Sequence, residues 1–184
     1  MKNKVDVAII GAGFAGSILA AALAKSGLRV ALIDSTHHPR FAIGESSTPI
    51  ADMILRRLAQ NYQLPYLEGL STWSSWQSQF PEIACGRKRG FSYYQHHRNQ
   101  AFSEQTLGQS SLLVAASANN DVADTHWYRA EVDQFLFGQA VDLGVMALLG
   151  HEIVQINSDE LGRFTLRSMC QTGEANLHSD WIVD

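Results

Sequence analysis

Cysteine is scarce in this chain, and the two present, Cys85 and Cys170, lie far apart with no CxxC or other metal-ligand spacing. A reduced, cytoplasmic setting fits that usage. The seven histidines include the neighbours His37-His38 and His96-His97, but adjacent residues do not share a helix face, and neither HxxxH nor HExxH occurs. No metal site is expected. Long basic runs are missing too, and the formal net charge is −4, which argues against nucleic acid as a partner. Nor is there an unbroken apolar stretch of membrane-spanning length. The first apolar run is interrupted by Gly11, Gly13 and Gly16, which disqualifies it as a signal-peptide core or a stable membrane insertion. Internal repeats and low-complexity tracts are absent. What remains is a globular composition, 46% hydrophobic over 184 residues. A chain of that size can bury about 70% of its unfolded surface.

The informative segment is VDVAIIGAGFAGSILAAALAKSGLRVALID, Val5 to Asp34. An apolar strand pattern leads into Gly11-x-Gly13-x-x-Gly16. An alanine-rich helix pattern follows, then a second strand pattern that ends on an acid. This is the dinucleotide-binding fingerprint in its required setting. Gly11 permits the tight turn, Gly13 lets a diphosphate lie against the backbone, and Gly16 lets helix and strand pack closely. The helix N-terminus offers N–H groups and a partial positive charge to phosphates. Asp34 sits where a carboxylate can accept hydrogen bonds from an adenosine ribose.

Further along, strand 1 is expected over Val5–Ile10, helix 1 over Phe14–Ser26 and strand 2 over Arg29–Ile33. Thr48 can cap a helix starting at Pro49, with Ile50, Met53, Ile54 and Leu58 at helical spacing. Residues 65–86 read as a packed loop or short helix anchored by Trp73, Trp76 and Phe80. Gly90–Gln95 reads as a strand. Residues 97–125 are polar apart from Leu112–Ala116 and suggest a surface excursion. Val132, Phe135, Leu136, Ala140 and Leu143 mark an amphipathic helix from Arg129, ended by Gly144. Val145–Leu149 suits a buried parallel strand. Ile153–Ile156, Phe164–Met169 and Ala175–His178 alternate between turns and read as an antiparallel meander, after which Asp180–Val183 returns to the main sheet. Trp181–Asp184 looks like the start of a buried strand, so the complete protein is expected to continue past Asp184.

More than a hundred residues separate strand 2 from the next candidate sheet strand, and a meander precedes the last one. This order resembles the FAD-binding domain of the glutathione-reductase and p-hydroxybenzoate-hydroxylase superfamily. The implied fold class is α/β: a Rossmann-like FAD-binding domain, parallel sheet plus antiparallel meander, with part of a substrate domain inserted after strand 2. Residues 1–40 and 129–184 would form the FAD-binding domain, incomplete at its C-terminal end. Residues 41–128 would hold an FAD-contacting segment and a partial substrate domain.

Three segments resemble flavin-dependent halogenases and related monooxygenases. Arg40 to Pro49, RFAIGESSTP, is similar to their R-F-x-I-G-E-S-x-x-P pattern. Arg87-Lys88-Arg89-Gly90-Phe91 resembles the neighbourhood of the halogenase lysine, and His126 to Asp133 resembles the helix start that places an arginine by the FAD. The family's W-x-W-x-I-P motif is not found, and Trp73-Ser74-Ser75-Trp76 has a different spacing. The resemblance implies an FAD-dependent enzyme that forms a flavin hydroperoxide and uses it to halogenate or hydroxylate an electron-rich aromatic, free or carrier-bound. A separate flavin reductase would supply reduced cofactor. The FAD-binding residues would be Gly11, Gly13, Phe14, Ala15, Gly16, Asp34, Arg40, Gly44, Glu45, Ser46 and Arg129. Lys88 would be the catalytic lysine, suited to that work because an ammonium can hydrogen-bond the oxidant and a desolvated amine is nucleophilic. Alternatively Lys88 is a solvated member of a cationic cluster. Arg129 stands in a first helical turn, an unfavourable place for a cation by roughly 0.3–1 kcal/mol, so something must offset it, an FAD oxygen being one candidate. Two other readings are a geranylgeranyl-reductase-like flavoprotein and a non-catalytic flavin-binding module that works through a partner protein. The 184-residue chain alone is expected to lack a complete active site.

Overall fold

The computed structural model describes residues 4–103 and 110–184. The first half of the chain forms β1 (Lys4–Ile10), α1 (Phe14–Lys25), β2 (Val30–Asp34), α2 (Pro49–Tyr62), α3 (Pro65–Gly69), α4 (Trp73–Gln79), β3 (Cys85–Lys88) and β4 (Gly90–Tyr94). Then follow β5 (Ser111–Ala115), β6 (Asp124–Trp127), α5 (Arg129–Asp142), β7 (Met146–Leu149), β8 (Glu152–Ser158), β9 (Phe164–Cys170) and β10 (Gly173–Val183). Two compact units result. One comprises Met1–Gly44, Leu58–Leu64 and Tyr128–Asp184, the other Glu45–Arg57 and Pro65–Trp127.

The first unit is built on a six-stranded sheet in the order β7-β2-β1-β10-β9-β8. Strands β7, β2 and β1 run parallel, and all five residues of β2 are buried, as a central parallel strand requires. The expected meander and parallel sheet are a single sheet because β10 changes partner along its length. Gly173–Ser179 pairs antiparallel with β9, and His178–Val183 pairs parallel with β1. Ala175–His178 and Asp180–Val183 are therefore one strand rather than two. No turn is needed where a strand merely exchanges neighbours. Trp181, expected inside, is 69% exposed near the end of that strand. Strand β7 lies at the sheet edge and is half-exposed rather than buried.

Helix α1 packs on α5 and β2. The small buried side chains Ser17, Ala20, Ala21 and Ala22 keep the approach close. In α5 the anticipated apolar positions Val132, Leu136 and Ala140 are buried, and so are Arg129 and Asp133. Helix α2 departs from the periodicity expectation. Thr48 Oγ1 accepts from Ala51 N at 3.2 Å, as a cap should. Yet Ile50, Met53 and Ile54 are exposed, while Leu55 and Asp52 are buried.

The second unit resolves the ambiguous stretch 65–86 into α3 and α4. Thr72 and Ser75 close a capping box at the start of α4. Trp76 is fully buried, donates from Nε1 to Ile83 O at 2.9 Å and lies 6.1 Å from the Trp127 ring. Two antiparallel ribbons, β3-β6 and β4-β5, complete the unit. The surface excursion expected over 97–125 holds for β5, exposed along its length, but not for the end of the segment: Ala123, Asp124 and Thr125 are at most 2% exposed. Residues 104–109 of that excursion lie outside the described residues. Trp127, read as part of a helix start, ends β6, and the helix begins at Arg129.

Candidate functional site

The glycine turn joins β1 to α1. Gly11 has φ +102°, the left-handed region that favours glycine, and a Cβ on Gly16 would lie 2.0 Å from Gly11 O. Gly16 is obligatory because the atom its Cβ would strike is backbone. Helix α1 starts with neither a side-chain cap nor an acidic residue in its first turn. Gly11 N donates to Ile33 O at 2.7 Å and Ala12 N to Asp34 Oδ2 at 2.9 Å. An anion at this turn would therefore be held by amides from Gly13 onward. Gly11, Gly13, Phe14, Ala15, Gly16 and Arg129 line one cleft of about 270 Å³ together with Leu19 and Val183.

Asp34 does more than close a strand. Its Oδ1 accepts from Thr36 N at 2.9 Å and Thr36 Oγ1 at 2.7 Å, and its Oδ2 from Ala12 N and from Arg40 Nη2 at 3.1 Å. Burial pushes this carboxyl up, but the bonds from Thr36 and Ala12 and the Arg40 charge outweigh it and hold the group below the usual carboxylate range. These four bonds fill the carboxylate's acceptor sites, so a ribose hydroxyl can bind only by exchanging with one of them. His38, anticipated only as a loop histidine, donates from Nε2 to Ala12 O at 2.9 Å and packs on Phe137. The turn is thus braced at both the N–H and the C=O of Ala12.

Arg129 is offset differently from the sequence-based expectation. Its Nε and Nη2 donate to Asp133 Oδ1 and Oδ2, each at 2.8 Å, and its Nη1 donates to Ile43 O at 2.6 Å and Gly44 O at 3.4 Å. The guanidinium also lies 4.6 Å from the Phe14 ring centroid. The unfavourable helix position is compensated inside the protein by Asp133, one turn on. These bonds use four of the five guanidinium donors, which leaves one on Nη2 for a cofactor oxygen. That atom and Arg40 Nη2 face Gly13, 3.6 Å and 3.5 Å from where its Cβ would sit. Arg40 Nε is buried with no hydrogen-bond partner. An uncapped helix start, a glycine facing two guanidinium groups and an unsatisfied arginine nitrogen fit the diphosphate and adenosine ribose of FAD.

Glu45, Ser46 and Lys88 belong to the second unit. Glu45 is exposed, and its carbonyl accepts from Trp127 N at 2.8 Å; Ser46 bridges to His126. The three neighbouring cations are separated by strand alternation. Arg87 stacks over Trp73, and Arg89 bonds Asn120, while Lys88 points inward and is only 7% exposed. The solvated reading of Lys88 is therefore overturned. Its Nζ donates to Ser47 O at 2.5 Å and sits 3.9 Å from the Phe91 centroid. Burial lowers its pKa, against the opposing pull of Asp124 and Asp52. Those two carboxyls, with Ser47 and Thr125, form a buried polar cluster that sequence reading missed. The only available signal was Asp52 on an otherwise apolar helix face. Among the described residues no group of three or more His, Cys, Asp or Glu could hold a metal ion, and no helix is long and apolar enough to cross a membrane. Both cysteines are free thiols.

The fold and the turn are those of a flavin-binding domain, and the family comparison agrees: residues 6–176 match the FAD dependent oxidoreductase family. The chain belongs to that family, and FAD is its cofactor. Among curated proteins it is 30% identical over 180 residues to the monodechloroaminopyrrolnitrin halogenase PrnC of Pseudomonas fluorescens, covering 93% of this chain and 31% of that one. It is 31% identical over 159 residues to the tetracycline 7-halogenase of Kitasatospora aureofaciens, covering 85% of this chain and 27% of the relative. Among solved structures, halogenase PltM in complex with phloroglucinol and FAD aligns with TM-score 0.78 and 30% identity, over 97% of this chain and 33% of that one. The chain thus spans about a third of the length of these relatives. The resemblance to halogenases drawn from the three motifs is borne out at the level of family and fold.

Proposed function

We propose that the protein is a flavin-dependent halogenase acting on an electron-rich aromatic substrate, free or carrier-bound, with a separate flavin reductase supplying reduced cofactor. One observation supports this reading most: Lys88, within the motif that resembles the halogenase lysine, is withdrawn from water and held by a single backbone carbonyl. An exposed lysine would stay protonated and mobile. This one is fixed in direction, and burial favours its neutral form.

In this reading the first unit is the FAD-binding domain. Gly11, Gly13 and Gly16 shape the turn, and the amides of Gly13, Phe14 and Ala15 hold the diphosphate. Asp34 exchanges a partner for the ribose, Arg40 and the remaining Nη2 donor of Arg129 hold cofactor oxygens, and Gly44, Glu45 and Ser46 form the segment along the isoalloxazine. The second unit is part of the substrate domain. Bound FAD, once reduced, supplies the activation of dioxygen. Lys88 directs the oxidised halogen to the ring, donating a hydrogen bond as an ammonium or accepting the halogen as an amine.

The test is halide dependence. The full-length protein is supplied with a flavin reductase, NADH, oxygen and a phenolic substrate, with bromide or chloride present or omitted. Halogenated product that vanishes in Lys88→Met is expected. Hydroxylated product alone would move the assignment to a hydroxylase.

A further inference from the structure

Three side chains converge on the backbone of Ala12, a residue with no exposed surface: Asp34 at the end of β2, His38 in the segment that follows it, and Ser17 in α1. Asp34 Oδ2 accepts from Ala12 N, which belongs to the peptide unit joining Gly11 to Ala12. The next unit, Ala12 to Gly13, is held by its carbonyl instead. Ala12 O accepts from His38 Nε2 at 2.9 Å and from Ser17 Oγ at 3.3 Å, one donor for each lone pair. That carbonyl shares its plane with Gly13 N–H, and in a trans peptide the two point in opposite directions. Fixing the oxygen on the His38 side therefore fixes the direction of the N–H on the other side. Gly13 N is the first amide of the turn left for an anion, since Gly11 N and Ala12 N already donate to Ile33 and Asp34.

The bond also defines the imidazole. A carbonyl only accepts, so Nε2 carries the proton and Nδ1 is bare. Nδ1 is buried and has no hydrogen-bond partner among the described residues. An imidazolium would put a second N–H there with nothing to receive it. Burial first, and the Arg40 charge, hold the ring below the ordinary histidine range, against the Ala12 bond and the charges of Asp133 and Asp34. Phe137 of α5 packs on the half-buried ring, the centroids 5.1 Å apart.

We propose that His38 is a positioning residue for the flavin: as a neutral Nε2–H donor it clamps the Ala12 carbonyl, so that the Gly13 amide is aimed at the cofactor's diphosphate and polarised toward it. The polarisation follows because hydrogen bonds in series strengthen one another, and a donor on the peptide oxygen makes the N–H of the same peptide a better donor. Ser17 assists at a longer distance, and Asp34 keeps the preceding peptide from turning. His38 acts through the Ala12–Gly13 peptide and needs no contact with the cofactor. The inference rests on the reading that the amides from Gly13 to Ala15 hold the diphosphate. It is independent of Lys88 and of halogenation.

The test uses the full-length protein, stripped of flavin and titrated with FAD by its fluorescence. His38→Leu keeps apolar bulk against Phe137 and removes the donor. His38→Gln returns an N–H at about the reach of Nε2. The leucine variant should bind FAD about tenfold more weakly, the worth of one net hydrogen bond, and the glutamine variant should recover most of that loss. Glycine and histidine labelled with ¹⁵N supply a second readout by NMR. Near neutral pH, His38 should be uncharged with its proton on Nε2. The Gly13 amide proton should move downfield when FAD binds, by less in His38→Leu and by the full amount in His38→Gln. Urea unfolding checks that the variants are folded, and the wild-type tautomer decides without them. A proton on Nδ1 of the wild-type ring, or unchanged FAD affinity and Gly13 shift in a folded His38→Leu, overturns the proposal. So does a folded His38→Gln as weak as His38→Leu, which would reduce the ring to packing. A wild-type Gly13 amide that ignores bound FAD would remove the reading of the amides and the proposal together. Absent halide incorporation would sink the halogenase reading and leave the role of His38 intact.

Discussion

The two units place charge in opposite ways. The first handles an anion with backbone: a glycine turn, an uncapped helix start and two guanidiniums already paired with Asp34 and Asp133. The second buries side-chain charge, with two carboxyls and an ammonium drawn from α2, β3 and β6. Backbone donors keep one protonation state at all pH values, so the first unit suits a permanently bound cofactor. Buried carboxyls and amines exchange protons, so the second suits chemistry in which a proton state matters. The difference teaches which unit should respond to geometry and which to pH.

The largest effect should come from breaking the paired charge of the first unit. Asp133→Ala leaves Arg129 buried without its bidentate partner, and a loss of about 3–5 kcal/mol is expected in denaturant titration. Next is the geometry of the turn. In Gly16→Ala the new methyl meets Gly11 O, which cannot swing aside, so destabilisation of about 3 kcal/mol with lost flavin retention is expected, the upper end of ordinary overpacking. Neither effect should vary much between pH 5 and 8. If either followed pH steeply, the contrast between the units would fail.

The second unit should show the converse. The folded-state pKa of Asp52 is raised to about 7, above its unfolded value, so the native state binds the extra proton between those two values. This group's contribution therefore falls as pH rises from about 4 to about 7 and levels off beyond. Asp52→Asn removes that slope. The variant should be more stable than the parent at pH 8, by something of the order of 2 kcal/mol, and the gap should close toward pH 4. Urea midpoints across that range measure it. The smallest effect is a control away from both sites: Thr72→Ala opens the α4 capping box and should cost about 1 kcal/mol without touching either the flavin or the pH slope.

Legibility in the sequence followed contiguity. Gly11, Gly13, Gly16 and Asp34 lie within one βαβ unit, where each residue's task is local, and the turn has the geometry expected of it. Lys88 stood out only by resemblance. Read alone, Arg87-Lys88-Arg89 looked like wet surface, and only the β3-β6 pairing turned the middle cation inward. Periodicity does not reveal Asp52, because Ile50, Met53 and Ile54 carry the helical apolar pattern of α2, yet those three are exposed and Asp52 is buried. Periodicity gives the element and its stripe but not which stripe faces the interior. Arg129 is conspicuous because a cation at a helix start needs an explanation, and Asp133, four residues on, supplies it.

By itself, the amino-acid sequence determined the glycine turn, the strand-helix-strand around it and a site for a dinucleotide, since those depend on neighbours a few residues apart and on φ values that only certain residues adopt. Tertiary structure alone decided that β10 joins two halves of one sheet, that Asp34 is already saturated with hydrogen bonds, and that Asp52, Lys88 and Asp124 are all buried in the second unit. Burial and pairing between distant segments are properties of the folded chain, and desolvation, which sets the chemistry of these charges, exists only there.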